Sequence, residues 1–215
     1  GMMESFCTKN NIQYRKIPKI HSPRASFPNF VYSILKTLNS IIPIEKQEII
    51  QSIQLLENLS QEVSSANLSD SNPSFDLAEW IDGIPVIYYP WGLQSAAIRF
   101  KNSLQENAKT HAIIEDAIES SHNGIVSWEK PSNMIPIMIE GIDDHIKTKE
   151  RWKILHGYFE ENNIKYKEIF SVNGGILSKI TCLIYLLDYT TIYNAVQLGI
   201  DPSPVKSIDF IKERL

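Results

Sequence analysis

The chain has 215 residues, 43% of them apolar, which is enough to bury one domain core and to carry a helical extension. Its formal net charge is -4 and its sequence pI is about 5.8, and no basic stripe is interleaved with aromatic residues, so a nucleic-acid partner is not expected. The two cysteines lie far apart without CxxC spacing, which indicates a reducing compartment. The first twenty residues contain no apolar signal segment, and we therefore expect a cytoplasmic protein.

Two helices are predicted in the N-terminal third. The predicted apolar faces consist of Phe30, Ile34, Leu35 and Leu38 in the first helix and Ile49, Ile50, Ile53 and Leu56 in the second. Pro43 separates the two patterns, and the polar, turn-rich residues 64–74 indicate a linker. We therefore expect residues 1–74 to form an N-terminal segment with a helical hairpin and a linker, and residues 75–215 to form a separate domain.

From about residue 84, short apolar runs alternate with helical patterns. The runs "IPVIYYP", "MIPIMIEG" and "KYKEIFSV" are bounded by Pro, Gly or Asn, which is typical of strands buried on both faces. The helical stripes between them are Leu93, Ala97, Phe100 and Leu104, followed by Trp152, Leu155 and Phe159. This alternation predicts an α/β layer fold with a parallel sheet.

The segment 176–199 is apolar almost all round, which predicts a helix in the core or in a subunit interface. Lys179 and Asp188 interrupt it, and its longest uncharged apolar run, residues 180–187, is far shorter than the ~20 residues that a membrane span requires. No membrane contact is expected. In the final segment, Pro204 near a first turn and Lys212 in a last turn predict a terminal helix.

Four polar residues are candidate site residues, and each alone also has an ordinary structural interpretation. Glu106 in "QENAK" falls about 200° from Leu104 on an α-helical wheel, which is also the position of a solvated carboxylate. His122 in "ESSHNG" is also compatible with a helix start or a turn. Lys212 is also a residue that complements a helix C-terminus, and Arg24 in "HSPRASFP" is also a surface arginine in an extended, Pro-flanked segment.

The sequence gives little indication of phosphate or metal binding. The run "VNGG", residues 172–175, is compatible with a tight turn or with a turn that cradles a phosphate, but it lacks P-loop and dinucleotide-binding spacing. The remaining histidines have no partners at the spacing of metal ligands; they are His21, His111, His145 and His156. No metal site is therefore expected.

Four segments, "SPRASFPNF", "IRFKNSLQENAKTHAI", "ESSHNGIVSW" and "IYNAVQLGIDPSPVKSIDFIKERL", together resemble the bifunctional phosphoglucose/phosphomannose isomerases of bacteria and archaea. The resemblance extends from about Lys16 to Leu215 and is densest from Pro85 onward, the part similar to the C-terminal sugar-isomerase (SIS) domain of that family. It implies a three-layer α/β domain, with a parallel sheet flanked by helices, preceded by a helical N-terminal segment.

The resemblance also implies an activity and a role for each candidate residue. Glu106 matches the catalytic base that moves a proton between C1 and C2 of an open-chain sugar phosphate through a cis-enediolate. His122 matches the ring-opening histidine, which reaches the active site from the partner subunit of a homodimer. Lys212 matches the lysine at the ring-oxygen end, and Arg24 matches the arginine that stabilises the enediolate. This chemistry suits those residue types and requires no cofactor.

The chain departs from that family before Arg24. Family members carry an N-terminal SIS domain whose Ser/Thr-rich loop holds the sugar phosphate, and the residues before Arg24 contain no such loop. We therefore expect this part to come from a separate N-terminal SIS chain or from sequence upstream of Met2. Two alternatives stay open: a non-catalytic module that binds sugar phosphates, and a dimerisation scaffold that retains the fold.

Overall fold

The computed structural model describes residues 1–18 and 22–215, so His21 lies outside the described residues. The chain forms two compact units, Gly1–Lys46 and Gln47–Leu215. The division between residues 74 and 75 stays a prediction.

The first unit contains helix α1 (Met2–Lys9), a 3₁₀ turn (Arg24–Ser26) and helix α2 (Phe27–Leu38). The extended conformation expected around Arg24 is wrong, because Pro23 adopts helical angles and starts the turn. The hydroxyl of Ser26 donates to the carbonyl of Ser22 at 2.9 Å and closes it. The predicted helix α2 is present, but none of its side chains is buried.

The second unit contains most of the regular structure. Its elements in chain order are α3 (Lys46–Glu62, which begins at the unit boundary), α4 (Pro73–Trp80), β1 (Ile84–Tyr89), α5 (Gln94–Ser103), a π turn (Leu104–Ala108), β2 (Ile113–Asp116), α6 (Ala117–Ser120), a 3₁₀ helix (Gly124–Glu129), β3 (Met134–Glu140), α7 (Ile146–Glu161), β4 (Lys167–Phe170), α8 (Ile176–Gln197) and α9 (Lys206–Lys212). All three predicted strands and the long helices between them are therefore present.

The sheet of the described residues has four parallel strands in the order β2-β1-β3-β4. Each central strand is buried almost throughout because helices cover both faces, as the apolar runs predicted. Strand β2 was not predicted. It is a four-residue edge strand in which Ile113 is 41% exposed, so it lacks the long apolar run of a central strand.

Helices cover both faces of the sheet, which confirms the predicted three-layer architecture. On one face, side chains of β1 and β3 pack with α7; this cluster includes Val86, Tyr88, Met138, Trp152, Leu155 and Phe159. On the other face, α4 and α5 pack against α8. The predicted stripes of α5 and α7 are both buried in these layers.

The buried face of α3 differs from the predicted one. Of the predicted residues, Leu56 is buried but Ile50 and Ile53 are exposed. The other buried residues are Ser52, Leu59 and Val63, the last of which directly follows the helix. These positions recur every three to four residues, so they lie on one helical face. A serine fits in this face because its hydroxyl donates to the carbonyl of Ile49 at 2.8 Å.

Helix α8 is central to the second unit, as its apolar composition predicted. Half of its residues are buried, including Thr181, Thr190, Thr191 and Asn194. Within the described parts of the chain, none of the helices is both long enough and apolar enough to cross a membrane.

Candidate active site

Glu106 lies in the π turn Leu104–Ala108, which continues α5 directly and is followed by Lys109 as its C-cap residue. A π turn inserts an extra residue into a helix and shifts the direction of the side chains that follow. The α-helical wheel that placed Glu106 on a solvated face therefore does not apply. The residue is half-buried, and its neighbours Asn107 and Ala108 are buried.

Two hydrogen bonds, one buried and one partly buried, attach this turn and the last residue of α5 to α8. The amide Nδ2 of Asn107 donates to Oγ1 of Thr191 at 2.8 Å, and the hydroxyl of Ser103 donates to Oδ1 of Asp188 at 2.8 Å. Asp188 and Thr191 lie on successive turns of α8, so they bind the residues before and after Glu106. Rigid packing of this kind fixes the backbone from which the carboxylate projects.

A partly buried ion pair supports the same junction between α5 and α8. The Arg99 guanidinium donates to both carboxylate oxygens of Asp188, with Nη2 at 2.7 Å from Oδ2 and Nε at 3.2 Å from Oδ1. Burial raises the pKa of Asp188, and the Arg99 guanidinium and the Ser103 hydroxyl oppose this effect. The paired geometry keeps the carboxylate of Asp188 available as the acceptor for Ser103.

The C-terminal segment is tied to the Glu106 turn by a lysine. The Lys109 ammonium donates to the carbonyl oxygen of Glu106 at 2.5 Å and to the carbonyl oxygen of Pro204 at 2.8 Å. Pro204 lies two residues before α9, and every residue of α9 is exposed, including Lys212 in its last turn. The structure therefore brings the segment that carries Lys212 to the turn that carries Glu106.

His122 lies in an exposed turn after α6, where its backbone N–H donates to the carbonyl of Glu119 at 2.9 Å. Below this turn, the carboxylate of Glu115 on β2 lies against Gly124, so closely that a side chain at Gly124 would collide with it. Burial raises the pKa of Glu115, and its Oε2 is buried without a hydrogen-bond partner in the described part of the chain. The His122 turn is thus followed by a glycine that packs against a partly buried carboxyl group with a raised pKa.

Glu106 and His122 flank opposite ends of strand β2. Helix α5 follows the carboxyl end of β1 and runs back, so the Glu106 turn precedes the amino end of β2. His122 follows the carboxyl end of the same strand. Four residues of parallel strand, on the order of 13 Å, separate these two ends. The Glu106 turn and the His122 turn are therefore attached to opposite ends of the same strand.

Arg24 belongs to the first unit, where it is half-buried in the 3₁₀ turn. The other three candidate residues belong to the second unit. The predicted role of Arg24 in the site stays a prediction.

The glycine-rich turn at residues 172–175 lies between β4 and α8, and the chain itself fills the position that a phosphate would take there. The carboxylate of Glu48 on α3 lies against Gly175 and accepts a hydrogen bond from the backbone N–H of Leu177 at 3.3 Å. The N-terminus of a helix attracts anions through its free N–H groups and its dipole. The Glu48 carboxylate therefore accepts a hydrogen bond at the N-terminus of α8.

Glu140, His156 and Glu168 form a cluster whose donor atoms lie within 4.8 Å of one another, a spacing that could hold a divalent metal ion. Nε2 of His156 lies 2.8 Å from Oε1 of Glu140 and 3.5 Å from Oε1 of Glu168, and its ring stacks on Tyr166. The hydrogen bond to Glu140 and the charges of the nearby carboxylates raise the pKa of His156, and partial burial opposes this effect. Sequence spacing gave no indication of this cluster, because its members come from β3, α7 and β4.

Comparison with known families identifies the domain. A family model described as the bacterial phospho-glucose isomerase C-terminal SIS domain matches residues 70–215. The chain belongs to this SIS-domain family. The match confirms the resemblance inferred from the four sequence segments.

Two curated relatives match this SIS-domain chain over its full length. It is 28% identical to the bifunctional phosphoglucose/phosphomannose isomerase of Caldicellulosiruptor bescii, covering 100% of this chain and 66% of the relative. It is 27% identical to the enzyme of the same name from Aquifex aeolicus, covering 100% of this chain and 65% of the relative. The chain thus spans slightly less than two thirds of the length of these relatives.

A solved structure supports the SIS-type fold. A glucose-6-phosphate isomerase like protein from Thermus thermophilus superposes with a TM-score of 0.69 at 16% identity, covering 89% of this chain and 66% of that chain. At this level of identity the comparison shows the fold alone.

Proposed function

We propose that this SIS-domain chain takes part in phosphosugar aldose-ketose isomerisation, interconverting glucose 6-phosphate or mannose 6-phosphate with fructose 6-phosphate. The names of the curated relatives support this substrate class. In the proposed reaction, the Glu106 carboxylate removes the proton from C2 of the open-chain aldose. It returns the proton to C1 of the cis-enediolate, and the reverse reaction uses the same group. Proton transfer of this kind requires no metal or organic cofactor.

The observation that carries the proposal is the π turn of Glu106, which one buried and one partly buried hydrogen bond attach to α8 on the two sides of the residue. A base that removes a carbon-bound proton must be held within a fraction of an ångström of its productive position. An ordinary solvated glutamate does not require such an anchored turn. Polar anchors buried beside a half-buried carboxylate are therefore more typical of a positioned base than of a surface residue.

The remaining candidate residues complete the proposed chemistry. Lys212 acts at the ring-oxygen end of the sugar, and its segment reaches the Glu106 turn through the contact between Lys109 and Pro204. Arg24 stabilises the enediolate, because a guanidinium supplies positive charge without titrating. His122 assists ring opening, because imidazole donates and accepts protons near neutral pH.

We propose that His122 acts in the site of a second copy of the chain, so that the working protein is a homodimer. The attachment of the Glu106 and His122 turns to opposite ends of β2 supports this arrangement. Three apolar side chains, on the elements that flank the His122 turn and on α7, are also exposed: Ile118 by 48%, Val126 by 55% and Ile154 by 71%. A second copy would cover these side chains and would carry His122 to its partner's Glu106.

The phosphate group of the substrate needs an anchor that the second unit does not offer at its glycine-rich turn, where Glu48 already fills the N-terminus of α8. We propose that an N-terminal SIS domain holds the phosphate, supplied by additional sequence or by a separate chain. The partial coverage of the curated relatives supports this division.

We further propose a cytoplasmic location, because both cysteines, Cys7 and Cys182, are free thiols.

The alternative is a non-catalytic module that binds sugar phosphates or dimerises through the SIS fold. A coupled assay of fructose 6-phosphate turnover distinguishes the two, using the chain alone and the chain with an N-terminal SIS domain of a relative. Glu106→Gln should lower kcat by about a thousandfold while the thermal unfolding temperature stays unchanged. Glu57→Gln, at an exposed position of α3, is the matched control. Near-normal turnover by Glu106→Gln would exclude the proposed base.

Subunit mixing tests the homodimer. Glu106→Ala and His122→Ala chains should each be inactive alone. After they are unfolded and refolded together, about a quarter of normal activity should return, because half of the dimers are mixed and each mixed dimer contains one intact site. No return of activity from a mixture shown to contain mixed dimers would mean that each chain builds its site alone.

A further inference from the structure

Lys109 is unusual in its backbone conformation and in its contacts. Its φ is 56°, in the left-handed region, where a non-glycine residue costs on the order of 1 kcal/mol. Its ammonium joins two backbone carbonyl oxygens that are far apart in the sequence, those of Glu106 and Pro204. A glycine or asparagine would adopt this backbone conformation more readily, so the side chain rather than the turn accounts for a lysine here.

The two carbonyl oxygens belong to two different predicted catalytic segments. The Glu106 carbonyl lies in the last turn of a helical segment, where carbonyls lack helical partners and a cation is favourable. Pro204 lies in the turn that leads into α9, where Asp201 accepts a hydrogen bond from the backbone N–H of Ser203 at 2.8 Å. Backbone and side-chain hydrogen bonds from Ser203 lower the pKa of Asp201, and the Lys109 ammonium adds to this effect.

Helix α9 lies on the surface of the described part of the chain. It is seven residues long, and none of its side chains is buried. Ile208, Phe210 and Ile211 are 37%, 57% and 57% exposed, so no apolar core fixes the direction of the helix. A contact at its entry turn therefore has a large influence on where its last turn lies.

We propose that Lys109 is a positioning residue that links the base to the C-terminal helix, setting where Lys212 lies relative to Glu106. This inference rests on the proposed function for its catalytic consequence. Its structural part, that the Lys109 ammonium orders α9, stands independently of any activity. Lys109 itself does not contact substrate in this proposal; it acts through the backbone at Glu106 and Pro204.

Nuclear magnetic resonance relaxation of the ¹⁵N-labelled full chain tests the structural part without requiring activity. Backbone order parameters of residues 206–212 should be near 0.85 in the unchanged protein and below about 0.6 in Lys109→Met. Lys109→Arg, which retains the donors, should keep α9 ordered, and so should Lys101→Met, a control about two turns earlier. Equal order in Lys109→Met and the unchanged protein would overturn the proposal.

Kinetics in the assembled enzyme tests the catalytic part through a cycle with Lys212. Lys109→Met should lower kcat about tenfold, with little change in KM, and Lys109→Arg should recover most of the loss. In a Lys212→Met background, Lys109→Met should cause almost no further loss, because both changes remove the same contribution. Additive losses of kcat from Lys109→Met and Lys212→Met would refute the proposed link between Lys109 and Lys212. Turnover that survives Glu106→Gln would instead refute the proposed function and leave the relaxation result intact.

Discussion

Replacing Thr191 with valine removes the hydroxyl that accepts the hydrogen bond from Asn107 and preserves the side-chain volume. Thr191 is fully buried and Asn107 is 9% exposed, so the Asn107 amide loses this acceptor where water has little access. A buried donor without a partner costs about 1–3 kcal/mol, and we expect a loss of this size in the free energy of unfolding. Replacing both residues, as Asn107→Leu with Thr191→Val, should recover about 1–2 kcal/mol of the summed single losses.

Urea unfolding measures these losses through the midpoint at constant m-value. Thr190→Val is the matched control, because Thr190 is equally buried on the same helix and its hydroxyl donates to the carbonyl of Leu186 in its own helix. Its loss should be below about 1 kcal/mol. If Thr190→Val and Thr191→Val cost the same, and the coupling with Asn107 is below about 0.3 kcal/mol, then the Glu106 turn is not anchored as described.

Two further perturbations test other parts of the second unit. Glu140 raises the pKa of His156 above its ordinary value, so the ion-pair contribution to stability is complete at pH values below the ordinary pKa and is lost as pH rises through the raised one. The free energy of unfolding should fall by about 0.5–1 kcal/mol through that range, with solvent screening included, and an unchanged slope in His156→Gln would contradict this. Gly83→Ala would push a methyl group into the carbonyl oxygen of Asn133, and should lower the free energy of unfolding by about 2 kcal/mol in urea unfolding. A neutral effect would mean that this junction before β1 is looser than the structure shows.

The central strands were predictable because burial on both faces demands continuous apolar runs. Strand β2 was not, because an edge strand only four residues long accommodates Glu115 and Asp116. The start of helix α4 could have been predicted from the sequence, but residues 64–74 were interpreted as a linker. Asn72 caps it by accepting from the backbone N–H groups of Ser74 and Phe75, and Pro73 occupies its first turn.

The sequence predicted the residues of the candidate site but not their geometry, and the set of residues stays a prediction. The family resemblance selected Glu106, but an α-helical wheel misplaced its side chain because no sequence pattern signalled the π turn. The hydrogen bond of Asn107 to Thr191 joins residues 84 positions apart, and the cluster around His156 likewise depends on how three elements pack. Such contacts follow from tertiary packing, which local periodicity does not encode.

The most direct test of the account follows the proton itself. The chain, assembled with an N-terminal SIS domain, is incubated with fructose 6-phosphate in D₂O, and deuterium at C1 of the ketose and C2 of the aldose is followed by NMR. Transfer by Glu106 predicts deuterium at both carbons, with exchange slowed about a thousandfold in Glu106→Gln and unchanged in Glu57→Gln. Exchange at the normal rate in Glu106→Gln would contradict the account.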